Sequence, residues 1–299
     1  MARPHKRQHK IPRTYLEAFT DSRGLVWVAD RSLKLYQQKP INLLTEADYY
    51  TVKFSAGGGT LAVETKFLGG IEKAYSKLYR EKIEKQLTVS REDKATLSIF
   101  VASMMERQPM MRESLKKFFS DIEEHVKHLR GLSDHVKKRI ASIPIASSGG
   151  PSFSADELLE AGKDVGSLHS SLIPGTVVNI APIIFDMKWA FMVKPKDSKP
   201  FITSDNPCVM MDPIGEVKYG RGTFGAAPGL AKKDVELTLP LSSEVALLCG
   251  WKMTKDWFYI PVNEKEVRGI NARTLRHAQS VIGPDKEMLR KMIEKVKKK

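Results

Sequence analysis

The order in which hydrophobic patterns follow one another rules out most folds for this chain. Two β-like runs, "LVWVAD" and "LKLYQQ", come first, and a long stretch of helical spacing follows from about residue 61 to 145. From about 188 short β-rich runs return, and two helical patterns close the sequence. Strands and helices never alternate as a repeating βα unit, which argues against a doubly wound parallel sheet. The order predicts an α+β fold: a mixed or antiparallel sheet from N-terminal and C-terminal strands, with a large central helical region. One domain over 1–299 is expected, with 61–145 as a helical subdomain inserted between strands that share a sheet.

Local signals place the elements. In "IPRTYLEAF", Pro12 suits a first helical position, and Tyr15, Leu16 and Phe19 follow at helical spacing. A turn at Asp30–Ser32 makes the first two strands a hairpin. "SAGGGT" (55–60) is a loop, and a helix over about 61–86 puts Phe67, Leu68, Ile71, Tyr75 and Leu78 on one face. Ser90 and Asp93 form a capping-box variant before "KATLSIFVASMMERQ", with Leu97, Phe100, Val101, Met104 and Met105 as its buried side. Pro109 lacks an amide hydrogen and interrupts that helix. Further helices run to about 130 and over 134–143. "IASSGGPSFS" (145–154) reads as a linker, ending in a second box of Ser154 with Glu157, stapled by Phe153 and Leu158. "LIPGTVVNIAPIIFDM" fits either a helix or a buried strand. "KWAFMVKP", "FITSD", "VELTLPL", "EVALLCGW" and "WFYIP" read as strands. Asn263 and Glu266 cap a helix stapled by Val262 and Val267 and running through Ile270 and Ala278, and a basic helix ends the chain.

Of the 299 residues, 41% are hydrophobic and 28% charged, the balance of a chain with a substantial core and a solvated surface. No window approaches the ~18 unbroken apolar residues of a membrane helix. No apolar signal segment follows the basic leader. A cytoplasmic protein without a membrane partner is expected. Cys208 and Cys249 have no zinc-site spacing and lie in apolar surroundings, as buried thiols do. The net charge of +14 is concentrated: residues 1–13 carry +5 and 286–299 another +5, leaving +4 for the 272 residues between. Basic ends of this kind are most often solvated helix ends or frayed termini, and contact with nucleic-acid phosphates is the lesser reading.

The familiar nucleotide loops, G-x-x-x-x-G-K-[ST] and G-x-G-x-x-G, are absent, as is a G-x-S-x-G elbow. "AGGGT" precedes a helix, where exposed amides hold anions, but a plain loop is the simpler reading. Glu124, His125 and His128 share a charged helix face with metal-ligand chemistry and, as the blander reading, solvated side chains. Glu64 and Glu72 lie about 12 Å apart along a straight helix, too far to share one ion. "ETK" at 64–66 also matches the E-x-K fragment of some nuclease sites, though there the pair sits on a strand. Arg107 and Arg112 flank Pro109, and arginine recognises phosphate or pairs with a buried acid such as Asp205 or Glu72. In "FITSDNP", Pro207 forces Asn206 out of the helical region, and Ser204, Asp205 and Asn206 form a strand-ending turn.

Taken together, "HKIPRTYLEAF" (His9, Pro12, Tyr15, Leu16, Phe19), the helix with Glu64 and Glu72, "ERQPMM" with Arg107 and Pro109, "FITSDNP" and "LPLSSEVALL" (239–248) resemble the bacterial and fungal family known as domain of unknown function 4238. The pieces occur in the family's order and span most of the chain. The resemblance implies that His9, Glu64, Glu72, Arg107 and Asp205 belong to a shared site, with Asn206 beside them, and supplies no reaction. Two functions are compatible with such a site, the first being the preferred expectation and the second its alternative. In a phosphodiester- or nucleotide-directed hydrolase, His9 is the acid/base. Glu64, Glu72 and Asp205 orient water, and Glu72 and Asp205 hold a divalent cation such as Mg²⁺. Arg107 stabilises anionic charge, while Tyr15, Arg112 and Ser204 contact substrate. In a non-catalytic nucleic-acid- or protein-binding module, the same residues form a structural network in which Asp205 pairs with Arg107. An open pocket lined by His9, Glu72, Arg107 and Asp205 favours the first; a sealed cluster favours the second.

Overall fold

The computed structural model describes residues 7–54, 57–135, 138, 154–219, 229–254 and 258–297. It opens with β1 (Arg7–His9), α1 (Arg13–Leu16), the hairpin β2 (Val26–Asp30) and β3 (Leu35–Gln38), and the short strands β4 (Thr45–Ala47), β5 (Val52–Lys53) and β6 (Gly59–Thr60). A continuous helix follows, α2 (Gly69–Leu78) with π-helical turns at Val63–Leu68 and Tyr79–Ile83. Next come α3 (Arg91–Glu106), α4 (Pro109–Gly131), α5 (Ala155–Gly162) and α6 (Val165–Asp186). The C-terminal third holds β7 (Lys188–Val193), β8 (Thr203–Ser204), β9 (Val209–Met211), α7 (Pro213–Tyr219), β10 (Glu236–Pro240), β11 (Val245–Gly250), β12 (Phe258–Pro261), α8 (Glu264–His277), β13 (Ser280–Gly283) and α9 (Lys286–Lys297).

The fold is α+β. A five-stranded sheet has the order β12-β7-β11-β10-β9, antiparallel except for the parallel pair β12–β7. A second, four-stranded sheet, β3-β2-β13-β8, is antiparallel throughout. The N-terminal hairpin thus does pair with C-terminal strands, but in a sheet of its own beside the main one. Its turn is built by Asp30, whose carboxylate accepts the amides of Ser32 and Lys34, each at 2.9 Å. β9 and β13 are strands of three and four residues that hydrophobic pattern does not reveal.

The helices share the core of the sheets. The largest cluster of buried side chains takes Ile11, Leu16 and Phe19 from the N-terminal segment, Tyr75 and Phe100 from α2 and α3, Ile184 from α6, Trp189 and Leu247 from the main sheet, and Ile282 from β13. Tyr75 and Phe100 stack with ring centres 3.5 Å apart. Each such side chain contributes about 1.5–3 kcal/mol through burial. The central helices therefore cover the sheets rather than enclosing a separate core.

The capping boxes at Ser90/Asp93, Ser154/Glu157 and Asn263/Glu266 all form with both reciprocal hydrogen bonds. Pro109 takes the first position of α4, so it starts a helix as well as ending the one before. Met105 is half-buried rather than buried. The ambiguous stretch 172–187 is helical: Ile173, Val177, Ala181 and Ile184 line one buried side of α6, which packs along α3. By length and composition α6 is also long and apolar enough to cross a membrane. Most of the expected helix 134–143, the linker and Phe153 lie outside the described residues. Residues 7–13 form β1 and enter α1, with Ile11 fully buried. Residues 286–297 form α9, which sets Leu289 and Ile293 against Ala29, Ile202 and Val281.

Candidate functional site

The site grows from the start of the chain. β1 pairs with β4 and brings His9 and Lys10 beside the end of α3. The helix stop at Gln108–Pro109 leaves Arg107 at the C-cap of α3, pointing back at this segment. Its Nη1 donates to Glu72 Oε1 at 2.5 Å and its Nη2 to the carbonyl of His9 at 2.7 Å. Its Nε is shared between the carbonyl of Lys10 (3.2 Å) and the hydroxyl of Tyr50 (3.1 Å). Tyr50 in turn donates to the Lys10 carbonyl at 3.0 Å. The Arg107 side chain is 1% exposed, and that of Glu72 is 26% exposed. Burial works against the guanidinium charge, but Tyr50, Glu72 and Glu64 more than offset it, so Arg107 is held firmly charged.

His9 is half-buried at the margin. Its Nε2–H donates to the Ile41 carbonyl at 3.1 Å. Burial lowers its pKa, partly countered by that carbonyl and by the neighbouring Glu72. The Pro40 carbonyl acts in the same direction as that of Ile41. Glu64 lies in the π-helical turn before α2, and its charge acts on Arg107. Four of the expected residues, His9, Glu64, Glu72 and Arg107, thus gather as the resemblance implies. Tyr50 joins them and was missed. A tyrosine in "ADYYTV" carries no local signal beyond its size.

The rest of the expected site is elsewhere or architectural. The acid that meets Arg107 is Glu72, not Asp205. Asp205 is 5% exposed, and its Oδ1 accepts the amides of Gln279 (3.0 Å) and Ser280 (3.1 Å), fastening β8 to β13. Burial raises its pKa, while those amides and the charge of Arg31 pull it down. Asn206 joins two helix ends: its Oδ1 accepts the Met110 amide (3.3 Å) and its Nδ2 donates to the His277 carbonyl (3.2 Å). Ser204 Oγ accepts the Asn206 amide at 3.1 Å, making the local turn. Tyr15, expected to touch substrate, is buried and bonds the Thr203 hydroxyl (2.8 Å) and the Pro240 carbonyl (2.6 Å). Arg112 is buried with its guanidinium 3.5 Å from the Tyr49 ring centre, donating to the Tyr49 carbonyl and to Ser170 Oγ. Among the described residues, none of these five lines either of the two hollows described below.

Glu72 and Asp205 therefore have separate partners and do not form the expected pair of metal ligands. Among the described residues no group of three His, Cys, Asp or Glu side chains is placed to hold a metal ion. Glu124, His125 and His128 line, with Asp121, an open hollow of about 370 Å³ on α4. Gly57 and Gly58, at φ +88° and +81°, make the turn between β5 and β6, a conformation that favours glycine. A larger hollow of about 520 Å³, lined by Ile183, Asp186, Ala231, Lys233, Trp251 and Lys252, contains none of the expected residues.

The fold and the cluster define an α+β protein organised around a buried arginine–glutamate pair. The chain belongs to the family described as protein of unknown function (DUF4238), whose model matches residues 7–287. No curated protein and no solved structure matches it.

Proposed function

We propose that this protein is a non-catalytic module that binds nucleic acid through basic surface, and that its polar cluster is architecture. The observation that carries the non-catalytic reading is the state of Arg107. The side chain best suited to stabilise a phosphoryl transition state is 1% exposed, with its hydrogen bonds directed to Glu72, Tyr50 and two backbone carbonyls. An oxyanion donor must aim at the position of developing charge, and this one aims into the protein. Asp205 is likewise committed to two amides. The partner class rests on the net charge of +14.

The test is to incubate the full chain with single- and double-stranded DNA and RNA in Mg²⁺, Mn²⁺ or EDTA, and to follow both cleavage and fluorescence anisotropy. Salt-sensitive binding without cleavage is the expected result. Metal-dependent cleavage that disappears in a folded Glu72→Gln variant overturns the non-catalytic reading.

One feature favours the second reading, a phosphodiester- or nucleotide-directed hydrolase. Glu72 keeps an exposed edge near the half-buried His9, whose pKa burial lowers, so a rim of His9, Glu64 and Glu72 is available for acid–base work. That reading requires His9→Gln to abolish turnover while leaving the melting temperature near wild type.

A further inference from the structure

The helix that supplies Glu72 to the cluster turns a different side to solvent. Leu68, Tyr75 and Leu78 are buried on its inner side. Lys66, Lys73, Lys77 and Arg80 are all exposed. Their spacing of seven, four and three residues spreads them along the outer face over roughly 20 Å. The ion pairs of this stretch use Glu72 and Lys82 instead, the latter with Asp93. The four cations have no acidic partner among the described residues. Glu81 and Glu84 stand at the C-terminal end of the row and leave it positive overall.

We propose that this row is the surface on which the protein engages the phosphate backbone of a nucleic-acid duplex; the proposal rests on the nucleic-acid-binding reading above. A row of about 20 Å is long enough to meet several phosphates of the duplex backbone. Gly70 and Ala74 lie among the cations, and no aromatic ring is exposed there. The row therefore lacks the stacking platform that single strands use. It also lacks the exposed apolar side of a helix that lies in a membrane surface, because that side is occupied by the core. Contacts of this kind read charge and backbone shape, so binding is expected to be indifferent to base sequence.

The experiment compares the full chain with K66A/K73A/K77A/R80A and with a control, K116A/K117A/K127A/R130A, which removes four charges from α4. Each is checked for folding by thermal melt and titrated against a mixed-sequence DNA duplex of about 30 base pairs at salt concentrations from roughly 50 to 200 mM. Four released counterions correspond to a slope of about −3.6 in log affinity against log salt, or about a 150-fold loss over that range. The helix variant is expected to lose that part of the slope and the control to keep it. Equal losses in both variants, or an unchanged slope in the helix variant, overturn the row while leaving nucleic-acid binding intact. Absence of duplex binding by the wild type overturns the binding reading and the row with it. Tighter binding to anionic lipid vesicles than to the duplex overturns it in favour of a membrane surface.

Discussion

Arg107 reaches across the fold to the carbonyls of His9 and Lys10, so truncating it leaves those carbonyls and Glu72 without their donor. Arg107→Ala is expected to cost about 3–5 kcal/mol by denaturant titration, the usual consequence of breaking a buried pair from one side. Glu72→Gln is expected to cost less, because its carboxylate has a wet edge that screens the pair. His169 provides a pH test. Burial, and the charge of Arg112, lower its pKa from 6.5 to about 4, with the Glu106 carbonyl opposing. The folded ring stays neutral where the unfolded one protonates. Its contribution is therefore fully present above about pH 6.5 and is lost as pH falls toward 4, about 3 kcal/mol in all. Glu106 and Asp205, whose carboxyls burial raises, act in the opposite sense. The measurement is therefore the difference between wild type and His169→Gln across that window. The variant is expected to lose the His169 part of the acid sensitivity, and parallel curves refute it.

At the scale of elements, helices that look alike in sequence differ in anchorage. α3 buries Leu97, Phe100, Val101 and Met104 among its core residues, whereas the only buried residue of α4 is Arg112. Few buried apolar contacts mean low local stability. The amides of α4 beyond about residue 115 are expected to exchange with solvent far faster than those of α3 and α6. Equal protection by hydrogen-exchange mass spectrometry shows the difference to be unimportant. The Ser90 cap belongs to the same scale: Ser90→Ala is expected to lower stability by about 1 kcal/mol, since the Asp93 amide then loses the Oγ that accepts it. These elements were legible because caps, staples and helical spacing are short-range and carry their own chemistry. β9 and β13 were not, because three or four residues are too few for a period to show, and their partners come from distant parts of the chain.

The whole molecule has one principal core, to which residues from Ile11 to Ile282 contribute. A single cooperative unfolding transition is expected. Cys208 and Cys249 report on it, for both thiols are buried and burial pushes the Cys208 pKa upward. A thiol reagent is expected to label neither in the native protein and both in denaturant, with a midpoint matching that of tryptophan fluorescence. Labelling that precedes the optical transition reveals a part of the fold that opens on its own.

The sequence by itself determined the class of fold, the start of nearly every long helix, the burial of both cysteines and the coming together of His9, Glu64, Glu72 and Arg107. Those features follow from periodicity, local capping chemistry and a family pattern of residues. Tertiary structure alone decided the rest. It chose Glu72 rather than Asp205 as the partner of Arg107, placed Tyr50 beside them, and put Tyr15 and Arg112 inside the protein. Whether a charged side chain is a tool or a fastening depends on which backbone groups surround it. Here those groups come from residues up to 98 positions away in the chain, beyond the reach of any local pattern.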